Sequence, residues 1–358
     1  MERERLFQFF ETHYVPKSGV LPRLPLGTDP DEIWREIINR RRAKGIMLPL
    51  HGPTGSSYWY VITGKMISAS EKIVEELLEY EAPGKPVPIA PLEEIFYTSY
   101  VEGSGMTFQA AVDYLQSGQE PRDVEEQMIA NNRNAHGFVA SNLYHPVDEE
   151  YLRMLAAILT MNMEGGGREF RSNDWIDIPS MMGEPYEVPP AHSIPDRVKE
   201  ITAFLGDAYV HPLIKAAVAQ AWVLTVRPFP EGNERLARIL SLIILLRSGY
   251  SFLGDVSLSS LIARNGYPYY NAVSNIIREE NGGDLTYFLE YYILLLAEAV
   301  DERARLQTAV TEENLRLEQE MAKTALPAPP QPKKRKGKTN KETVTESLKA
   351  DVFVTMSP

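Results

Sequence analysis

The sequence lacks cysteine altogether, has six scattered histidines and contains no long apolar run. Without cysteine, disulfide bonds, thiol catalysis and cysteine-based zinc sites are excluded. The histidines stand at positions 13, 51, 136, 145, 192 and 211, and their spacing is not typical of a metal site. No stretch reaches the roughly 20 apolar residues that cross a bilayer, so we expect no membrane segment.

The first ten residues, MERERLFQFF, also lack the apolar core of a secretory signal. We therefore expect a soluble, cytoplasmic protein. Its 358 residues, 44% apolar and 24% charged, are enough for one large domain or two modest ones.

The net charge of −12 is unevenly distributed. Residues 321–358 hold eight Lys or Arg and three Asp or Glu, a net charge of +5, so the other 320 residues carry −17. Because so acidic a body repels nucleic acid, we expect no nucleic acid partner except through the basic tail. Residues 326–358 are rich first in proline and then in lysine, which predicts a disordered arm.

One stretch, residues 225–238 (TVRPFPEGNERLAR), lies between two apolar helical patterns. Upstream, residues 213–226 are apolar almost all round; downstream, apolar residues recur at three- and four-residue steps from 236 to 246. Two prolines and Gly232 interrupt regular structure between them. The sequence therefore predicts a helix, a tight loop and the start of a second helix.

The predicted loop has the residues of an anion site. Backbone N–H groups at a helix start are unpaired and attract phosphate, and Gly232 lets the backbone approach an anion closely. The side chain of Asn233 can donate a hydrogen bond. Arg235 and Arg238 are three residues apart, so they share one helix face and could grip phosphate oxygens. Glu231 beside them is suited to hold Mg²⁺ together with phosphate.

This stretch resembles the signature of the Fic family, H-x-F-x-[D/E]-G-N-[G/K]-R-x-x-R. Six positions agree: Phe229, Glu231, Gly232, Asn233, Arg235 and Arg238. Two differ, since Arg227 stands where the family has its histidine and Glu234 where it has Gly or Lys. The resemblance implies a mainly α fold, a Fic-type helical bundle with a β-hairpin flap. We expect a small mixed N-terminal subdomain in addition.

The resemblance also implies an activity and its cofactors. The activity is the transfer of AMP from ATP to a Ser, Thr or Tyr hydroxyl of a target protein, with Mg²⁺ at the phosphates and Glu231 as its ligand. The implied catalytic positions are Arg227, Asn233 and Arg235. The implied nucleotide-binding positions are Gly232, Asn233, Glu234, Arg235 and Arg238.

The two departures lead us to expect weakened or absent AMP transfer. The family histidine removes the hydroxyl proton, whereas the guanidinium of Arg227 keeps its own proton and has no acceptor. Losing a general base typically lowers a rate by roughly two to four powers of ten. Glu234 beside a polyphosphate is a like charge that costs about 4 kcal/mol at roughly 4 Å. If Arg227 pairs with Glu234, the two side chains would fill the pocket.

A second motif precedes the predicted core. Thr98, Glu102 and Gly103 fit the pattern [S/T]-x-x-x-E-[G/N], which self-inhibited Fic proteins carry on a helix. The resemblance implies that Glu102 is inhibitory and pairs with Arg238. A structural ion pair, or two unrelated surface charges, is the alternative interpretation.

Residues 167–190 alternate in character and are rich in Pro, Gly and aromatic residues, which predicts a β-hairpin. Gly167, Phe170 and Arg171 resemble the start of the family's flap, which lies over the active site and pairs with the main chain of a target. We therefore expect a target protein to dock on 167–190. An ordinary surface hairpin is the alternative.

The expected organisation comprises an N-terminal subdomain (1–90), an inhibitory-helix region (91–120), a Fic core (121–300), a C-terminal helix extension (301–325) and the tail (326–358). Residues 58–62 are predicted to belong to a short hairpin. A helix over 123–144 is expected to expose Asn131, Asn132 and Asn134.

Three functions stay open at this level. The first is a Fic-type protein with weakened or no AMP transfer that binds a nucleotide or a protein. The second is an active Fic-type transferase with altered chemistry, using another donor or another base such as His192. The third is a non-catalytic interaction or regulatory protein. Homo-oligomerisation and the identity of the target also stay open.

Overall fold

The computed structural model describes residues 2–80, 92–174, 176 and 186–324. The tail predicted over 326–358 and residues 175 and 177–185 of the predicted flap lie outside the described residues. The described part is mainly helical and contains one two-stranded sheet, which confirms the predicted fold class. None of its helices is both long and apolar enough to cross a bilayer.

The first part of the chain contains short helices and a hairpin. Its elements are α1 (Glu2–Thr12), α2 (Lys17–Val20), α3 (Pro30–Ala43), β1 (Ile46–His51), β2 (Ser57–Tyr60) and α4 (Gly64–Glu79). The strands pair antiparallel, with Ile46 opposite Tyr60, so the predicted hairpin is confirmed. Asp29 caps α3 by accepting a hydrogen bond from the N–H of Asp31 at 2.9 Å.

This first part has an apolar cluster of its own and is tied to the later chain through β2. The cluster comprises Phe7, Phe10, Val20, Ile33, Trp34, Ile37, Ile38 and Trp59. The backbone of Trp59 pairs with Gly283 and Leu285, at 3.1 and 2.8 Å. The chain divides into one compact unit up to Thr308 and a second from Ala309 onwards. The finer five-part organisation stays a prediction.

The remaining helices form the larger core. They are α5 (Leu92–Tyr100), α6 (Phe108–Ser117), α7 (Val124–Asn142), α8 (Glu149–Leu159), α9 (Ile194–Gly206), α10 (Pro212–Val226), α11 (Asn233–Arg247), α12 (Leu258–Arg264), α13 (Gly266–Ile277) and α14 (Thr286–Thr324). Short 3₁₀ turns lie at 21–23, 191–193, 251–255 and 279–281.

The centre of this core is the pair α10 and α11, which pack against each other. Residues 216–226 of α10 and 233–246 of α11 are all buried. A helix without a polar face is stable only when other elements surround it. The interior position of these helices therefore fixes the loop between them, residues 227–232, which we call the signature loop.

The expected exposed face of α7 is wrong at two of three positions. Asn131 and Asn132 are buried, at 0% and 1% exposure, whereas Asn134 is exposed. Each buried amide has partners: Asn131 donates to the carbonyl of Met161 at 2.9 Å, and Asn132 donates to the hydroxyl of Ser99 at 2.6 Å. These hydrogen bonds offset the cost of burying a polar group.

The described residues of 167–190 form no strand. The middle of this segment lies outside the described residues, so the hairpin flap stays a prediction.

Candidate functional site

The signature loop reverses the chain through two left-handed residues. Arg227 ends α10 with φ 49°, and Gly232 precedes α11 with φ 75°. Glycine adopts this conformation freely, but for another residue it costs roughly 1–2 kcal/mol. Among the described non-glycine residues only Asn162 and Arg227 have positive φ. Backbone strain of this kind is typical of functional positions, and here it occurs at Arg227.

Gly232 is required for two reasons. Its φ is left-handed, and an added Cβ would lie 2.7 Å from Cγ2 of Thr160. We expect Gly232→Ala to lower the free energy of unfolding by about 1–2 kcal/mol through the backbone and by at least about 1 kcal/mol more through the overlap. Urea denaturation measures the loss.

Gly118 provides the matched control for this substitution. Its φ is 64°, and an added Cβ would meet nothing within 4 Å. Gly118→Ala should therefore show the backbone cost alone. Equal losses in the two variants would contradict the close packing of Gly232 on Thr160.

Asn233 holds the loop in shape. Its Oδ1 accepts a hydrogen bond from the N–H of Phe229 at 3.1 Å, and its Nδ2 donates to the carbonyl of Phe229 at 2.7 Å. The side chain is fully buried. Both ends of the amide are thus used within the loop, at a position expected to contact nucleotide.

Arg227 and Glu234 form a buried ion pair across the loop. Nη1 of Arg227 lies 2.6 Å from Oε1 of Glu234, and the two side chains are 4% and 11% exposed. The expected pairing is therefore present. The partners lie on either side of the loop, one at the end of α10 and the other in the first turn of α11.

The carboxylate of Glu234 also places a negative charge in the first turn of α11. Burial raises the pKa of Glu234. Arg227 and the residue's own backbone N–H together lower it by more, so the net shift is downward. The pKa of Arg227 is lowered by burial and raised more by Glu234 and Tyr186, so both partners stay charged. A negative group thus occupies the helix N-terminus, where an anion would bind.

Tyr186 supports this pair and was missed by the sequence analysis. Its hydroxyl donates to the carbonyl of Leu224 at 2.8 Å, in the last turn of α10. Burial raises its pKa, and the neighbouring Arg227 opposes that shift. A lone tyrosine near the end of a Pro-rich segment carries no sequence signal for this position.

Glu102 binds two arginines of α11, Arg235 and Arg238. Oε1 lies 2.8 Å from Nη2 of Arg238, and Oε2 lies 2.9 Å from Nε of Arg235. The expected pair with Arg238 is present, and the contact with Arg235 was not foreseen. Burial raises the pKa of Glu102, and the two arginines oppose that shift. One carboxylate therefore contacts two guanidinium groups that were expected to face phosphate.

Most of the other N–H groups of Arg235 and Arg238 also donate hydrogen bonds to neighbouring groups. Arg238 donates from Nε to Oγ1 of Thr98 at 2.9 Å and from Nη2 to its carbonyl at 2.7 Å. Arg235 donates from Nη1 to the carbonyl of Leu159 at 2.6 Å. Nη1 of Arg238 is buried without a hydrogen-bond partner among the described residues.

Helix α5 carries Thr98 and precedes Glu102. Hydrogen bonds near its start and just beyond its end hold it in place. Near its start, the carboxylate of Glu94 accepts hydrogen bonds from Ser257 and Ser259 at 2.6–2.9 Å. Beyond its end, Tyr270 donates to the carbonyl of Val101 at 2.8 Å. Gly103 turns the chain away with φ 95°. These contacts hold Glu102 on α11.

The start of the predicted flap contacts the signature loop through hydrogen bonds and an aromatic pair. The N–H of Arg171 donates to the carbonyl of Pro228 at 3.0 Å, and its Nε donates to the carbonyl of Arg227 at 2.8 Å. The rings of Phe170 and Phe229 lie 5.3 Å apart. The segment entering 167–190 therefore adjoins the loop, as the resemblance implies for a flap.

In this arrangement the site does not fit a nucleoside triphosphate with its metal. Glu234 lies in the first turn of α11 and is paired with Arg227, and Glu102 is paired with Arg235 and Arg238. Glu231, the expected Mg²⁺ ligand, is 39% exposed and lies 3.3 Å from Arg235. The described residues contain no group of three acidic or histidine side chains that could hold a metal.

Comparison with known proteins identifies the fold. Residues 146–245 match the model of the Fic/DOC family. A Fic family protein from Desulfovibrio desulfuricans has 18% identity and a TM-score of 0.58, over 69% of this chain and 76% of that one. Fic-1 from C. elegans has 18% identity and a TM-score of 0.56, over 69% and 72%. A search of curated protein sequences finds no match.

Proposed function

We propose that this Fic-fold protein is a relative of protein adenylyltransferases in which AMP transfer is weakened or absent because the chain fills its own anion site. One observation supports the proposal above all. The carboxylate of Glu234, 2.6 Å from Arg227, lies at the start of α11. There it takes the place that the fold offers to a phosphate.

The loss of a general base supports the same proposal. Arg227 occupies the position of the family histidine, and a guanidinium cannot accept a proton at working pH. His211 caps the opposite end of α10, roughly 24 Å away along the helix. His192 is exposed in the turn at 191–193. Neither of these histidines belongs to the signature loop, and we assign the role of general base to neither.

ATP and Mg²⁺ remain the ligands that we propose for the opened scaffold. Removing Glu234 would free the α11 N-terminus, and removing Glu102 would free Arg235 and Arg238. Glu231 would then be the loop carboxylate available to a cation. We further propose a cytoplasmic protein whose partner, a target protein, docks on 167–190.

An active transferase with altered chemistry is the second candidate. It is favoured by the retention of Glu231, Gly232, Asn233, Arg235 and Arg238, which a purely structural loop would not require in this combination. Stable binding of a nucleotide to the unaltered chain would favour this candidate.

Thermal stability in the presence of MgATP tests the proposal. We expect no stabilisation of the wild type, whereas Glu234→Gly should be stabilised because it leaves Arg227 and the α11 N-terminus facing the ligand. A ligand at 100 times its Kd stabilises a protein by about 2.7 kcal/mol.

Glu36→Gln is the control for this experiment, since Glu36 is a 41% exposed partner of Arg40 far along the chain from the loop. It should behave as the wild type does. Equal stabilisation of the wild type and Glu234→Gly by MgATP would contradict a self-filled anion site.

A further inference from the structure

A polar cavity lies at the opposite end of the α10–α11 pair from the signature loop. We call it the distal cavity. It has a volume of about 650 Å³ and lies between the start of α8, the end of α9, the start of α10 and the end of α11. Its Lys215 and Arg247 are separated from the loop by roughly 20 Å of helix. It is therefore distinct from the site described above.

The distal cavity collects positive charge. Its described lining includes Lys199, Lys215 and Arg247 but a single carboxylate, Asp148, and Lys199 is paired with Asp196 at 2.9 Å outside that lining. That carboxylate already accepts a hydrogen bond from the N–H of Tyr151 at 2.9 Å, as the cap of α8. A cationic cavity contrasts with the rest of the chain, since residues 1–320 carry a net charge of −17. It would attract a small anion locally.

Two of these cations contact only carbonyl oxygens among their hydrogen-bond partners in the described structure. Nζ of Lys215 donates to the carbonyl of Leu205 at 3.0 Å, and Nη1 of Arg247 donates to the carbonyl of His145 at 2.8 Å. Carbonyl groups carry partial charge, so they orient a cation without neutralising it. Both side chains are half-buried, which limits screening by water.

The two cations also act on each other. Burial lowers the pKa of Lys215, Asp207 opposes that shift, and Arg247 adds a smaller lowering effect. Like charges that share a partly buried cavity repel each other, and an anion between them relieves the repulsion. The arrangement of cations thus favours an anionic occupant.

The lining also includes apolar side chains. Val147, Leu205 and Ile244 line the distal cavity beside the cations. A volume of this size falls within the range of roughly 300–1,000 Å³ that small-molecule sites occupy. Apolar walls with a few charged groups are typical of sites for organic ligands with one charged end.

We propose that the distal cavity binds a small organic phosphate. Its phosphate group lies between Lys215 and Arg247, and its organic part lies against Val147, Leu205 and Ile244. The planar fork of arginine binds two phosphate oxygens, and the lysine ammonium adds a compact point charge. Lys199 at the rim attracts the ligand without being required for its orientation. This proposal is independent of AMP transfer.

Isothermal calorimetry with phenyl phosphate and inorganic phosphate tests the proposal. We expect phenyl phosphate to bind more tightly than inorganic phosphate, because only the former covers the apolar wall. Phenol should show no measurable binding, because it lacks the charged group. Arg247→Met should weaken binding of phenyl phosphate by about tenfold or more, since it removes charged hydrogen bonds. Sodium chloride at matched ionic strength controls for screening.

Lys199→Glu provides a variant that does not disturb the fold, because the side chain of Lys199 is 71% exposed. Reversing this charge should also weaken binding. Lys65→Glu is its matched control, since Lys65 is 68% exposed and lies outside the distal cavity. It should bind as the wild type does. No binding of either phosphate probe, or equal affinity in the wild type, Arg247→Met and Lys199→Glu, would overturn the proposal.

Discussion

Transfer of AMP from labelled ATP to a protein hydroxyl is expected to rise by roughly two to four powers of ten when Arg227→His, Glu234→Gly and Glu102→Gly are combined. The first change supplies a proton acceptor, the second clears the α11 N-terminus, and the third frees both arginines. Self-modification and labelling of lysate proteins both measure the gain.

A control for this triple variant differs in the base alone. Arg227→Ala with the same two glycine substitutions opens the site equally but provides no imidazole, so it should stay near the wild-type level. Equal labelling by the histidine and alanine versions would show that residue 227 does not act as the general base. Absence of labelling in a histidine version that still unfolds cooperatively in urea would contradict an inherited AMP-transfer site.

Loss of Glu102 is expected to destabilise the protein strongly. Its side chain is 8% exposed and neutralises Arg235 and Arg238, which are 0% and 5% exposed. Breaking a buried ion pair by removing one partner typically costs about 3–5 kcal/mol, because a buried charge is left uncompensated. We expect Glu102→Ala to lower the free energy of unfolding by that amount in urea denaturation.

Glu150→Ala is the matched control for Glu102→Ala. Glu150 pairs with Arg168, and both side chains are about half exposed, at 54% and 53%. Exposed pairs contribute about 0–1 kcal/mol, so this change should be nearly neutral. A small effect of Glu102→Ala, similar to that of Glu150→Ala, would mean that Glu102 is not the counter-ion of the two arginines.

These two predictions concern one electrostatic arrangement. Within it, Glu234 pairs with Arg227, while Glu102 pairs with Arg235 and Arg238 and Glu231 adds a second contact to Arg235. Each carboxylate lies at hydrogen-bond distance from its guanidinium, 2.6–2.9 Å, where a phosphate oxygen would otherwise bind. Removing Glu234 alone leaves Arg227 and the α11 N-terminus available to a polyanion, whereas Arg235 and Arg238 stay paired until Glu102 also moves.

The signature loop could be predicted from the sequence because its signals are local. Apolar residues all round one helix and a break at Gly232 determine where the chain turns. The Arg227–Glu234 pair could be predicted for the same reason, since opposite charges seven residues apart face each other across a tight loop. Its burial follows from the apolar helices on either side.

The second partner of Glu102 could not be predicted. Arg235 and Glu102 are separated by 133 residues, and their contact depends on how α5 lies across α11. The sequence pattern specifies which face of each helix is apolar but leaves their crossing open. The Fic resemblance implied the pair of Glu102 with Arg238, whereas the contact with Arg235 is visible only in the structure.

Polar side chains were the main source of error. Asn131 and Asn132 were expected at the surface because amides are usually exposed. Each is instead buried against polar groups of neighbouring segments, among them the carbonyls of Met161 and Ile95. A polar side chain is a reliable sign of exposure only where no buried hydrogen-bond partner is within its reach. The pattern of a single sequence does not reveal such partners.

Crystallisation with MgATP tests the central claim most directly. The account predicts that Glu234 stays paired with Arg227 at the start of α11, with no phosphate density at the backbone N–H groups of residues 233–235. Density for a triphosphate at those groups, with Glu234 turned out to solvent and Arg227 on the phosphates, would contradict it.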